Sequence, residues 1–201
     1  MYTVGVTGGI CSGKTYICAY ISKKYKVPFV NCDVLVRELQ RKGTRTYIKI
    51  VREFGSDILR RDFRINRRKL GRIVFSDAKK RKRLDKIVHP EVKRLVREKK
   101  IMYSQKQKKI ILVEVPLLFE AGMKSLCDTV VCVSVSLSVQ VQRVMAKFNI
   151  DSKDALSRIS SQMSLEDKMR RSNFIVKSVN SNTRVNREAD RLWQKLNKQI
   201  V

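Results

Sequence analysis

Gly8-Gly9-Ile10-Cys11-Ser12-Gly13-Lys14-Thr15 decides how the rest of this chain is read. The stretch follows a short apolar run, Val4-Gly5-Val6, and leads into a segment of helical period. The spacing G-x-x-x-x-G-K-[ST] therefore lies between a strand and a helix, the context in which it makes a phosphate cradle. Glycines let the loop fold back so that successive backbone N–H groups point inward at phosphate oxygens. The following helix adds the positive end of its dipole. Lys14 supplies a point charge for the β- and γ-phosphates, and the Thr15 hydroxyl a ligand for Mg²⁺. The motif predicts a bound nucleoside triphosphate and leaves open what is done with it.

Outward from the loop, apolar runs alternate with helical periods. Residues 2–7 predict a first strand, 14–24 a helix and 28–32 a short buried strand. Residues 110–115, 129–135 and 174–176 predict three more strands, and 137–148, 151–171 and 182–199 helices, the last holding Trp193. Between 44 and 107 the period is helical throughout, with turns near Gly55 and Asp62. Strands alternating with helices imply a parallel sheet with crossovers. The expected architecture is α/β: one domain with a core of 1–43 and 108–201, a helical insertion of about 44–107, and a basic helical hairpin at about 140–171.

A chain of 201 residues with 43% hydrophobic residues can bury a sizeable core. Met1 leads straight into a strand-like run and no apolar stretch reaches about 18 residues, so neither a secretory leader nor a membrane span is expected. Cys11, Cys18, Cys32, Cys127 and Cys132 form no C-x-x-C pair, which predicts reduced thiols, no zinc site and a cytoplasmic protein. The net charge is +27. Residues 60–109 alone hold 21 Lys or Arg against 5 Asp or Glu. Such a field suits an enzyme that handles several phosphates, or a nucleic-acid binder. Most of these side chains are read as solvated helix faces.

Ligands of a parallel sheet gather at the carboxyl ends of the strands. There the sequence brings Asp33 and the Glu114–Glu120 region beside the phosphate loop. Asp33 can accept a proton from an attacking hydroxyl or hold a water on Mg²⁺. It can equally cap a helix starting at Val34; position alone does not choose. Glu114, flanked by Val113 and Val115, reads first as a structural carboxylate and second as one linked to metal. The 140–171 segment carries Arg143, Lys147, Lys153, Arg158, Lys168, Arg170 and Arg171, some of which could close over a triphosphate. His89, the only histidine, is more often a helix-entry or packing residue than a catalyst. No N-K-x-D guanine motif and no L-S-G-G-Q element occurs, which disfavours a GTPase and a transporter ATPase.

Taken together the motifs resemble the dephospho-coenzyme A kinase family. The resemblance runs through Val6-Thr7-Gly8-Gly9-Ile10, Ser12-Gly13-Lys14-Thr15, Cys32-Asp33 with Arg37, and Ile65-Asn66-Arg67-Arg68-Lys69-Leu70. It continues through Ile73-Val74-Phe75, Leu84 to His89-Pro90, Val115-Pro116-Leu117-Leu118-Phe119-Glu120, Arg143-Val144-Met145-Ala146, and Arg158-Ile159 with Gln162 and Lys168. It implies a three-layer P-loop kinase core with a five-stranded parallel sheet, and transfer of the γ-phosphoryl of ATP to the 3′-hydroxyl of dephospho-coenzyme A. It implies Asp33 as general base, and Lys14, Thr15, Gly8, Gly9, Cys11, Ser12, Gly13 and the Tyr16 N–H on ATP and Mg²⁺. Arg143 falls on the phosphates; Asp33, Arg37, Arg67, His89, Leu117, Leu118 and Glu120 line the acceptor site. Partners are then the two small substrates, with no membrane and a single copy as the simplest state. The chain departs from the family pattern at Asn31-Cys32-Asp33, where Asp-Ala-Asp is usual, at Cys11 for glycine and at Tyr16 for threonine. It departs again at Ser172-Asn173 and Lys177-Ser178. The alternatives are a kinase of another nucleoside or nucleotide, and a basic RNA-associated ATP-binding protein. Against the latter stands the lack of an aromatic stacking platform, at 7% aromatic residues.

Overall fold

β1 (Tyr2–Gly8) is buried along almost its whole length because it is the central strand of a five-stranded parallel sheet. The computed structural model describes residues 1–200. Strand order is β2 (Phe29–Asn31), β3 (Ile110–Glu114), β1, β4 (Thr129–Ser134), β5 (Phe174–Lys177). Tyr2 pairs with Ile110 and Val6 with Glu114 on one side of β1; Val4 pairs with Thr129 on the other. β3 and β4 read as unbroken apolar runs because every residue in them is buried, as both faces of a parallel sheet require. After β1 the chain moves out to β2, whereas β4 and β5 build on the opposite side. The loop after β1 thus stands where the direction of winding reverses.

Two compact units make up the chain, residues 1–31 with 99–201, and residues 32–98. In the first, one face of the sheet is covered by α1 (Lys14–Tyr25) and α9 (Asn182–Ile200). Val4, Val6, Leu112, Val131 and Val133 pack there with Ile17, Cys18 and Ile21 of α1 and Val185, Ala189, Leu192 and Leu196 of α9. Each Val, Leu or Ile side chain among them contributes about 1.5–3 kcal/mol on burial. Tyr25 stacks on Trp193 at 5.0 Å, and Asp190 of α9 accepts hydrogen bonds from Tyr20, Tyr25 and Lys24 of α1. α6 (Leu137–Phe148), α7 (Ser152–Ser160) and α8 (Leu165–Arg170) follow β4, with α8 against β1 and β4. A Cβ at Gly5 would overlap Cys127 Sγ, so the 124–128 segment lies directly on β1.

The stretch 151–171 is therefore two helices and not one. Ser164 starts α8 by accepting the Asp167 N–H at 3.0 Å, an S-x-x-D cap that is readable in the sequence. Among the described residues no helix is long and apolar enough to cross a membrane.

The second unit holds α2 (Cys32–Leu39), α3 (Arg45–Phe54), α4 (Arg67–Ser76) and most of α5 (Ala78–Gln105). Thr44 caps α3 and Asn66 caps α4 through their side-chain oxygens. Cys32, Leu35, Leu39, Ile50, Ile58, Ile65, Leu70, Val74, Val88, Val92 and Val96 are its buried apolar residues. Residues 59–65 are not helical: Leu59 and Ile65 form an antiparallel bridge around a turn closed by Arg60 N–H to Arg64 C=O at 2.9 Å. Pro90 lies inside α5, where its missing N–H deletes one rung of the helix. His89 is accordingly a mid-helix residue and not a helix-entry one.

Candidate functional site

The phosphate loop spans the turn from β1 into α1. Gly8 takes φ +146°, and a Cβ there would overlap the Val133 carbonyl oxygen. Gly13 sits at φ +92°, where a Cβ would come to 2.9 Å from Ser178 Oγ. Both positions need glycine for backbone freedom and for space. Lys14 is 7% exposed; its Nζ donates to Gly9 C=O at 2.8 Å and Gly8 C=O at 3.2 Å. The ammonium is thus held within the loop it is expected to serve. Ser12 Oγ is buried with no hydrogen-bond partner among the described residues. Tyr16 turns away from the loop, its hydroxyl donating to Asn186 of α9 at 3.0 Å.

Glu114 closes the bottom of the site. It is 2% exposed at the carboxyl end of β3. Thr15 Oγ1 donates to Glu114 Oε1 at 2.7 Å, and Asn31 Nδ2 to Oε2 at 2.6 Å. With the Thr15 proton turned to the carboxylate, the hydroxyl oxygen keeps lone pairs for a cation. A hydroxyl and a carboxylate are the hard oxygen donors that Mg²⁺ takes. Among the described residues no group of three His, Cys, Asp or Glu could hold a metal. Asn31 meets Glu114 with an amide donor, whereas a second carboxylate at that distance could not be ionised together with Glu114.

Of the basic residues at 140–171, the structure brings two into this network. Arg143 Nη1 donates to Ser178 Oγ at 3.0 Å and to Cys11 C=O at 3.4 Å; Nη2 donates to Val179 C=O at 3.0 Å. Arg143 therefore ties Cys11, which has φ +56°, to the segment after β5. Lys168 is 0% exposed and paired with Glu120 Oε1 at 2.8 Å, its Nζ also donating to Pro116 C=O at 3.0 Å. Lys147, Lys153, Arg158, Arg170 and Arg171 are exposed. Sequence reasoning missed the burial of Lys168 and two glutamines on the loop: Gln140 Nε2 donates to Ile10 C=O at 2.8 Å, and Gln162 Oε1 accepts the Ile10 N–H at 3.1 Å.

Two of the residues expected on an acceptor have other partners in the fold. Leu118 is wholly buried, beneath Gly5, so it is a core residue. Glu120 is committed to Lys168 and to the Met163 N–H at 3.1 Å. Leu117 is 44% exposed and free to make contacts.

The helical unit has its own cleft, of about 260 Å³. Asp33, Arg37, Gln40 and Arg67 form its polar end, and Val36, Leu70, Gly71, Val74 and Leu84 its apolar walls. Asp33 and Arg37 share a face of α2 at i, i+4. The helix begins at Cys32, so Asp33 lies inside the first turn with an exposed carboxylate. The capping role that its position allowed is therefore excluded. Arg67 donates to Gln40 Oε1 at 3.2 Å and to Arg37 C=O at 3.4 Å. Burial, then the charges of Arg37 and Arg60, hold its guanidinium below the usual range. Cations crowded in this way gain from an incoming anion.

His89 is not part of this cleft. It lines a groove with Asp85, Lys86, Pro90, Lys93 and Arg97, its Nε2 3.3 Å from Asp85 Oδ1. Burial pushes its pKa down, Lys93 adds to the effect, and Asp85 opposes it.

A model of the family described as dephospho-CoA kinase matches residues 2–184. The dephospho-CoA kinase of Lactobacillus johnsonii is 37% identical over 175 residues, which cover 87% of this chain and 88% of the relative. Among solved structures, TT1252 from Thermus thermophilus superposes with a TM-score of 0.84 at 28% identity, covering 100% of this chain and 98% of the other. The dephospho-CoA kinase of Campylobacter jejuni superposes with a TM-score of 0.71 at 24% identity, covering 99% and 98%; at that identity the likeness speaks for the fold.

Proposed function

Because the chain belongs to the dephospho-CoA kinase family, we propose that it transfers the γ-phosphoryl group of ATP to the ribose 3′-hydroxyl of dephospho-coenzyme A. The products are coenzyme A and ADP, and the step is the last in making coenzyme A. The family match across residues 2–184 carries this reading.

In this reading the loop N–H groups and Lys14 hold the β- and γ-phosphates. Lys14 exchanges the carbonyls of Gly8 and Gly9 for phosphate oxygens, a gain for an ammonium already stripped of most of its water. Thr15 and Glu114 would hold Mg²⁺, which when bound would neutralise charge on the β- and γ-phosphates. Asp33 accepts the proton of the 3′-hydroxyl as its oxygen attacks phosphorus and the bond to ADP breaks. Arg37 and Arg67 meet the diphosphate of the acceptor, and Val36, Leu70 and Val74 its uncharged parts. Arg143 steadies the loop at Cys11. Both substrates are water-soluble, so the cytoplasm is the setting.

An ADP-release assay with Mg²⁺ and a panel of acceptors tests the proposal. Dephospho-coenzyme A should raise the rate well above water alone, while AMP, CMP and uridine should not. Equal rates with and without dephospho-coenzyme A would overturn it.

A further inference from the structure

Two glutamines grip the backbone of one residue of the phosphate loop, Ile10, from its two flanking peptides, and their surroundings separate their roles. Gln140 of α6 is 3% exposed and gives its Nε2 to Ile10 C=O. A Cβ at Gly9 would overlap that nitrogen, so Gly9 and Gln140 are fitted to each other. Gln162, in the turn between α7 and α8, accepts the Ile10 N–H with Oε1 at 3.1 Å and is only half-buried. Its oxygen must face the loop, because an N–H needs an acceptor. The carboxamide is planar, so Nε2 lies on the same rim. Among the described residues no protein acceptor takes it.

The turn is anchored from behind. The Met163 N–H donates to Glu120 Oε1 at 3.1 Å, and the same oxygen takes Lys168 Nζ at 2.8 Å. Glu120, held by the buried Lys168, thereby fixes the backbone beside Gln162. The N–H groups of a loop of this kind converge on phosphate oxygens. A side-chain oxygen on the Ile10 N–H with an unused amine next to it therefore stands at the rim of the phosphate site.

We propose that Gln162 is a phosphate-contacting residue of the ATP site, its Oε1 fixing the Ile10 amide while its Nε2 donates to the terminal phosphate. This rests on the ATP half of the proposed function and not on the identity of the acceptor. Gln162→Leu loses both hydrogen bonds. Gln162→Glu keeps an acceptor for Ile10, strengthened by charge, but sets a negative oxygen against the phosphate.

Calorimetric binding of ATP and of ADP to wild type and both variants, with Mg²⁺ and with thermal melts as a folding control, separates the possibilities. Both variants should bind ATP about tenfold or more weakly, with Gln162→Glu at least as weak as Gln162→Leu, and ADP affinity should change little. Wild-type affinity for ATP in Gln162→Glu would overturn the proposal and leave only a loop-supporting role. Equal losses for ATP and ADP would do the same. If wild type binds ATP but dephospho-coenzyme A does not stimulate ADP release, the acceptor assignment falls and Gln162 stands. If wild type does not bind ATP, both fall.

Discussion

Single residues carry the sharpest consequences. Asp33→Asn should cut turnover by about 100-fold or more while ATP affinity stays near wild type, checked by steady-state kinetics and nucleotide titration; unchanged turnover would remove it as the base. Lys14→Ala should lose both ATP affinity and rate, because the ammonium serves ground and transition states alike. Gly71 makes a subtler case. It sits inside α4 with ordinary φ, and a Cβ there would meet nothing closer than the Phe75 ring at 3.9 Å. Alanine would fit and stabilise the helix by up to about 1 kcal/mol. The glycine also lines the cleft beside Asp33 and Arg67, so its bareness serves whatever lies in that cleft. Gly71→Ala should therefore raise the melting temperature and raise the KM for dephospho-coenzyme A, with the KM for ATP unchanged. A variant that is more stable with an unaltered acceptor KM would deny the cleft that role.

Elements show which parts of the site could be read in advance. The phosphate loop, the five strands and most helices were legible because apolar runs and a 3.6-residue period are local signals. α2 beginning at Cys32 was not, since a strand of three residues leaves no room to see where it ends. Lys168 reads as one cation among Arg158, Arg170 and Arg171, and nothing local says that it alone is buried. Gln140 bonds to a backbone carbonyl and Gln162 to a backbone N–H; the resemblance runs through Gln162, but such a backbone contact leaves nothing in the sequence that says what the side chain does.

Lys168→Ala should destabilise the protein by about 2 kcal/mol in urea, because it removes a wholly buried side chain and its hydrogen bond to Pro116 C=O; a loss below about 1 kcal/mol would make its pairing with the exposed Glu120 no stronger than a surface ion pair. In α5, His89 has a folded pKa below its unfolded value of about 6.5. The unfolded chain then takes up the proton first, so the contribution is intact above about pH 6.5 and lost as pH falls through the folded value. Melting temperatures of wild type should fall more than those of His89→Gln between pH 7.5 and 5. Parallel curves would mean that the imidazole titrates alike in both states.

At the scale of the whole molecule the charge is unevenly shared. Residues 32–98 hold 22 Lys or Arg against 9 Asp or Glu, about half of the excess in a third of the chain. The alternating pattern of strands and helices made the α/β class legible, and the order β2-β3-β1-β4-β5 was not, because strand neighbours are set by contacts far apart in sequence. β1 has a consequence of its own. Its partners are Ile110 to Glu114 and Thr129 to Val133, so a chain leaving the ribosome exposes its first strand while more than half of the protein is still to be made. Residues 32–98 are contiguous, and all of them are made before the first neighbour of that strand, which begins at Ile110. Until residues 110–114 have been made, the apolar edges of residues 2–8 stay unpaired, and an unpaired apolar strand is a segment prone to aggregate.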